Sequence, residues 1–379
     1  MRKLAFLIIL SLLITACSKT ELTYTEEVID GVRHIHNLAP VWGSETGPAG
    51  IELIFERQIG ELDPIDKHFQ FHQINWLARD DSGNFFIIES LNNRVLQFSP
   101  DWKFIRQIGR SGEGPGEYKL PSDITVDADG NIYVLVGESL KINKYTNKGK
   151  FIDQIKLERY AGSVNFRDDG VFQLGGGTGT QTDENTGDFF KYAFRLIDSD
   201  GDDLGTICKI TGSGDKSEFG TRTVYRTTSD NNDNIYLAFS NQNRINKYSP
   251  EGDLLWTADR PIGFKPEVKK YVQESDGFTM SGVRSKSVSR WIKTDDQNRL
   301  WVTTYKSHTE RDAQDRIIKR QVFVLHIFDE SGIFLGEIPY PEDVAKIAGI
   351  WGDHAYFVSS DRISILVYRI IEKDPNKGD

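Results

Sequence analysis

One short polar phrase governs what this chain can fold into. Asp80-Asp81-Ser82-Gly83-Asn84 returns as Asp127-Ala128-Asp129-Gly130-Asn131, then in altered form as Asp168-Asp169-Gly170, Asn232-Asp233-Asn234, Asp295-Asp296-Gln297-Asn298 and Gly352-Asp353-His354. Each copy precedes an apolar run, at 85–88, 132–136, 171–174, 235–239, 300–303 and 355–358. Asp, Asn and Gly are turn formers, and short aliphatic and aromatic runs between them read as strands. The register repeats as well. Eleven residues beyond Asn84, Asn131, Asn234 and His354 stand Val95, Ile142, Ile245 and Ile365; fourteen beyond stand Phe98, Tyr145, Tyr248 and Tyr368. The copies beginning at Asp168 and Asp295 fit the same register with insertions. A second turn then leads to a fourth strand, at 104–108, 151–157, 204–210, 254–257 and 333–338; the last copy lacks one.

Four strands per unit at a spacing of about 40 to 65 residues is the signature of a β-propeller. The predicted fold is all-β, a six-bladed β-propeller with four-stranded blades at 72–109, 121–157, 162–210, 222–260, 288–340 and 343–371. The strand missing from the last blade is available at 51–60, where Phe55-Glu56-Arg57-Gln58-Ile59-Gly60 echoes Phe104-Ile105-Arg106-Gln107-Ile108-Gly109. An N-terminal strand placed there closes the ring and removes the open sheet edges.

Asn93-Arg94-Val95 ahead of Phe98, and Asn243-Arg244-Ile245 ahead of Tyr248, resemble the NHL repeat. Gly112-Glu113-Gly114-Pro115-Gly116-Glu117, followed by Pro121 and 127–134, is similar to an NHL-like six-bladed β-propeller family of bacterial lipoproteins. The resemblance implies the fold and an envelope location; it implies no activity.

The N-terminus reads as an address. Arg2 and Lys3 precede an apolar run at 4–14 that is too short to span a bilayer, then Ile14-Thr15-Ala16-Cys17, which resembles a lipobox. The expected organisation is a signal peptide at 1–16, a lipidated tether and N-terminal segment at 17–50 with Cys17 carrying the lipid, the propeller at 51–371, and a C-terminal tail at 372–379. Ser18-Lys19-Thr20 carries no acidic run, which favours the outer membrane with the protein facing the periplasm. Losing Arg2 and Lys3 takes the formal charge from −10 to −12, an acidic balance that argues against nucleic-acid binding. Two cysteines exclude a disulfide scaffold, and Cys208 reads as a buried strand residue.

Antiparallel blades place every short turn on one face and the long loops 61–73, 110–121, 175–191, 261–287 and 304–321 on the other. Loops longer than connection requires carry function, so that face is the expected site. Its charge is local: 261–293 is +4 and 306–321 is +2. Arg284, Arg290, Arg311, Arg316 and Lys269 are the ligand candidates there, because guanidinium forks match carboxylate and phosphate geometry. Pro266 to Ser275 carries Val268, Tyr271 and Val272 at helical spacing and predicts a short helix. At the channel mouth, the starts of the innermost strands offer Asn75, Asp123 and Trp291; the start in the fourth blade is read as Thr223-Val224. His68 and His72 are the weak metal candidates, with Asp66 beside them; His34, His36 and His326 read as structural. The composite expectation is a lipid-anchored cell-envelope propeller that binds a protein or an anionic glycan or peptide through the long-loop face, without a cofactor. The alternative is a metal-dependent hydrolase of lactonase or esterase type, with Ca or Zn in the channel. One carboxylate among the channel strand starts, and no Gly-x-Ser-x-Gly elbow, favour binding over catalysis.

Overall fold

The protein, seen here as a computed structural model, is described at residues 22–42, 50–176, 178–275, 278–308, 310–311, 317–319 and 321–373; at 272–275, 278–281, 310–311 and 317–319 only backbone is described. Six antiparallel sheets form the blades of a propeller. In blade 1 the strands Ile74–Arg79, Phe85–Glu89, Arg94–Phe98 and Phe104–Ile108 run from inside outward. Innermost strands of the next four blades are Asp123–Val126, Ser163–Phe166, Tyr225–Ser229 and Ser289–Thr294. Blade 6 is ordered Val344–Trp351, His354–Ser359, Ile365–Glu372 and then Ile51–Ile59, with Ile51 opposite Glu372 and Ile59 opposite Ile365. The N-terminal strand is thus the outer strand of the last blade.

The repeated phrase has a physical job. In each full copy the first Asp accepts from the backbone N–H four residues on: Asn84 to Asp80 at 2.7 Å, Asn131 to Asp127 at 2.7 Å, Asn234 to Asp230 at 2.9 Å and Arg299 to Asp295 at 2.9 Å. The side chain of that fourth residue bonds the same carboxylate. Where the next strand carries a donor two residues later, it joins too: Tyr133, Tyr236 and the Trp301 indole reach the same Asp at 2.9–3.0 Å. The position before the Asn is left-handed, at Gly83, Gly130, Asp233 and Asn298, which is why Gly, Asp and Asn occupy it. One carboxylate satisfies the turn and pins it to the blade.

Val95, Ile142, Ile245 and Ile365, equivalent in the repeat, are all fully buried. Phe98, Tyr145 and Tyr248 are buried too, and a bulge falls beside each of them between the third and fourth strands. The core lies between blades. Phe85, Trp102 and Phe98 of blade 1 pack with Tyr356, Val358 and Val367 of blade 6. Cys208 is a buried free thiol whose proton burial holds up to about 12.

Three additions decorate the ring. Residues 24–37, within the expected tether and N-terminal segment, form the hairpin Tyr24–Ile29 and Val32–Asn37. Its second strand runs parallel to the outer strand Leu254–Asp259, extending blade 4 to six strands. The chain then crosses blade 5, where Trp42 N–H donates to Leu335 O at 2.7 Å. The loop between blades 4 and 5 corrects an expectation. Val268–Ser275 is a strand, not a helix, paired with Phe278–Ser285. Spacing of Val268, Tyr271 and Val272 suited a helix, but β-branched residues and a facing strand of equal length satisfy the backbone as a hairpin. The helix falls elsewhere, at Lys216–Arg222, where Asp215 caps the N–H groups of Ser217 and Glu218.

Candidate functional site

Innermost strands line the central channel, a cavity of about 640 Å³. Trp76 comes from blade 1, Asp123 from blade 2, Ser163 and Asn165 from blade 3, Arg226 and Thr228 from blade 4, and Trp291 and Lys293 from blade 5. Lys346 of blade 6 completes a ladder of cations on indoles. Lys293 Nζ and Lys346 Nζ stand 4.6 and 4.8 Å from the Trp76 ring centre. Lys346 also lies 5.4 Å from the Trp291 ring, and the Arg226 guanidinium covers that ring at 4.8 Å. Lys346 Nζ donates to the carbonyl of Asn75, and Arg226 Nε to that of Arg290 at 3.2 Å. Indole faces attract cations, so the two tryptophans hold the lysines in place.

Asp123 is the acid facing this ladder. Its two oxygens accept from Ile124 N–H and Val164 N–H, each at 2.9 Å, which clamps blade 2 to blade 3. Burial lifts its pKa to about 6 despite those bonds and the nearby lysines. Lys346 is driven down to about 7, by burial first and then by Lys293, Arg362 and Arg226, with Asp123 acting the other way. Burial also lowers Lys293. Two half-buried ammonium groups and an exposed guanidinium thus face one carboxylate. Such a donor set does not suit a divalent cation, which needs several free oxygen ligands. Among the described residues no group of three His, Cys, Asp or Glu side chains is placed to hold a metal.

The sequence candidates divide. Asp123 and Trp291 line the channel, whereas Asn75 is not among its lining residues and offers only its backbone carbonyl to Lys346. Arg290 lies beside it in the inner strand of blade 5, its guanidinium 4.9 Å over the ring of Phe323. Arg284 and Lys269 face each other across the 268–285 hairpin, outside the channel. Arg284 stacks 4.6 Å over Tyr271 and Lys269 pairs with Glu267, while Lys270 ties the hairpin to Asp215 at 2.5 Å. Arg316 and Cys17 lie outside the described residues, as does the side chain of Arg311. His68 and His72 do not converge. The 3₁₀ turn Lys67–Phe69 sets the His68 ring on Phe104 at 3.6 Å and its Nδ1 2.6 Å from Asp66, and the backbone of His72 donates to Glu89.

Sequence reading missed Arg226. The helix displaces the start of the inner strand to Tyr225, two residues beyond Thr223, so Arg226 rather than Thr223 or Val224 reaches the channel. Asp215 with Glu218 three residues later was the available signal, the pattern of a capped helix start. Lys293 was counted as loop charge and belongs to the channel.

Residues 66–186, blades 1 and 2 with half of blade 3, match the 6-bladed beta-propeller family DUF5128. NHL repeat-containing protein 3 of Mus musculus is 27% identical over 120 residues, covering 30% of this chain and 33% of that protein. Peptidyl-glycine alpha-amidating monooxygenase B of Xenopus laevis is 33% identical over 90 residues, 22% of this chain and 10% of that protein. The similarity to curated relatives therefore spans at most a third of their length. Among solved structures, a DUF4221-family member from Bacteroides vulgatus superposes over 85% of this chain and 99% of its own, with TM-score 0.58 at 11% identity. A candidate exported protein from Bacteroides fragilis does so over 87% and 98%, with TM-score 0.51 at 14% identity. At these identities the likeness is one of fold. The chain is a six-bladed β-propeller of four-stranded blades with NHL-repeat relatives.

Proposed function

We propose that this protein is a lipid-anchored propeller of the bacterial cell envelope that binds an anionic ligand or acidic partner through its long-loop face. The observation that carries the reading is the unbalanced charge of the channel: Lys293, Lys346 and Arg226 against Asp123, in a molecule of formal charge −10. The exposed hairpin bearing Lys269 and Arg284 extends that positive surface beyond the mouth. Ile14-Thr15-Ala16-Cys17 and the fold shared with a candidate exported protein support the envelope location. Anchoring through Cys17 to the outer membrane, facing the periplasm, would leave the loop face free for a partner.

Capture of partners from a solubilised envelope by the mature chain, compared with a Lys269→Glu/Arg284→Glu variant, tests the reading. Both side chains are exposed, so the variant should keep its melting temperature. It should lose the acidic partner by at least tenfold, and wild-type capture should weaken with salt because exposed charges are screened over about 8 Å at physiological ionic strength. Full retention by the reversed hairpin would reject the loop face as the docking surface.

A further inference from the structure

The channel has a chemistry of its own, and it rests on the binding role just proposed while specifying a different ligand contact. Two walls face each other. One, from blades 1 and 5, carries Trp76, Trp291 and Lys293, with Lys346 of blade 6 against the same two indoles. The other, from blades 2 to 4, carries the hydroxyls and amides of Thr125, Ser163, Asn165 and Thr228. Cations without a matching carboxylate, placed in a partly dehydrated cavity, are stabilised by an anion. Asp123 cannot fill that role for the whole ladder, since it is one carboxylate against two ammonium groups and a guanidinium and each of its oxygens also serves a backbone N–H group. Indole surface opposite a wall of hydroxyl and amide groups suits a molecule with apolar C–H faces and many hydroxyls. The cavity of about 640 Å³ accepts one or two pyranose rings.

We infer that the channel is a binding site for a small acidic sugar, a uronic-acid monosaccharide or disaccharide. Its carboxylate would sit between Lys293 and Lys346, and its hydroxyls would face the polar wall. Anion binding favours the charged form of Lys346, so the sugar is taken up together with a proton whenever that amine is neutral. Affinity therefore falls as pH rises above about 7, approaching tenfold per pH unit. Below about pH 6 Asp123 becomes neutral, ceases to compete for the lysines, and affinity rises further. Lys293, Arg226 and Arg362 are the other positive groups facing Lys346, and Asp123 is the one acid.

Titration calorimetry and tryptophan fluorescence on the purified mature chain decide the matter, with galacturonate and glucuronate as probes. Galactose and glucose serve as neutral counterparts, and inorganic phosphate and acetate as ions without a sugar. At least one uronate should bind tenfold or more above its neutral counterpart and above both ions. Lys346→Met and Lys293→Met keep the apolar stem against Trp76 and should each lose tenfold or more. Asp123→Asn removes the competing charge together with one of the two backbone bonds, so its melting temperature is read alongside; in the folded variant affinity should rise several-fold, an outcome that a merely structural disturbance would not produce. Equal binding of neutral and acidic sugar, or no binding of either uronate, overturns the inference. So does phosphate binding as tightly as the uronates, which would indicate an adventitious ion only. The Lys269→Glu/Arg284→Glu protein, with its channel untouched, should bind uronate as the wild type does. If the lysine variants leave uronate affinity unchanged while the hairpin variant loses its partner, the channel inference fails and the docking face stands.

Discussion

Trp102 occupies a backbone position that its counterparts leave to glycine. In the turn between the third and fourth strands, Gly149, Gly201, Gly252 and Gly332 have positive φ, and blade 1 sets Trp102 there at φ 60°. The indole repays the strain by stacking on Phe85 at 4.2 Å, 13° from parallel, within the cluster joining blade 1 to blade 6. Truncating a buried Trp costs about 3–5 kcal/mol, and a left-handed non-glycine residue costs roughly 1–2 kcal/mol. Trp102→Gly loses the first contribution and recovers the second, whereas Trp102→Ala loses the indole and keeps the strain. Urea unfolding should rank wild type above Trp102→Gly, and Trp102→Gly above Trp102→Ala by about 1 kcal/mol. Finding the alanine variant the more stable of the two would show that the turn has relaxed and that the strain argument is wrong.

At the scale of elements, the outer hairpin is held by a titrating pair. His36 Nδ1 lies 2.8 Å from Asp259 on the strand beside it, and its Nε2 lies 3.4 Å from Glu27 on its own hairpin. The bond to Asp259 raises the His36 pKa above its ordinary value, burial opposes that, and Glu27 adds to it. A raised folded value means that the stabilisation is fully present below about pH 6.5 and disappears as pH climbs through the folded pKa. Because the ring is substantially exposed, the contribution is that of a surface pair, at most about 1 kcal/mol. Amide exchange within Val32–Asn37 should therefore be slower at pH 6 than at pH 8 after correction for intrinsic rates. His36→Gln should remove the difference; a difference that survives in the variant would place the switch elsewhere.

Much of this architecture was legible because a turn advertises itself chemically. Asp80, Asp127, Asp230 and Asp295 each serve several donors, so their spacing had to recur and the strands between them could be counted. The 268–285 hairpin was misread because Val268, Tyr271 and Val272 fit a helical stripe as well as a two-residue alternation, and only the facing strand decides. Parallel pairing of Val32–Asn37 with Leu254–Asp259 joins segments more than two hundred positions apart, and nothing local signals it. The channel was half legible. Asp123 and Trp291 could be placed by counting strand starts, but Asn75 does not line the cavity, Lys293 looked like loop charge and Arg226 was hidden behind an uncounted helical turn.

For the whole molecule, two segments of the N-terminal region carry different duties. The hairpin at 24–37 widens blade 4 and ties it to blade 5 through Asn37, while Ile51–Ile59 supplies the fourth strand of blade 6. A chain starting at residue 50 should stay monomeric, with blade 4 still four-stranded and a modest loss of melting temperature from uncovering Ile35 and Trp256 contacts. A chain starting at residue 61 exposes the edge of Ile365–Glu372 and should aggregate on heating or on concentration. Size-exclusion profiles and melting curves of the two truncations separate the duties; a monomeric second truncation with an unchanged melting temperature would refute them.

Ile51 and Glu372 are neighbours in space and nearly the full length of the chain apart in sequence. The strand at 51–59 precedes its partner by about three hundred residues, so a chain delivered N-terminus first presents it well before the partner. Until the partner arrives blade 6 has no third strand for it to join, so each earlier blade can form from local hairpins while the ring itself stays open. Contacts of such long sequence separation are slow to form. Ring closure is therefore the docking of an early strand onto a late one, and until it occurs that strand is an unpaired edge available to chaperones.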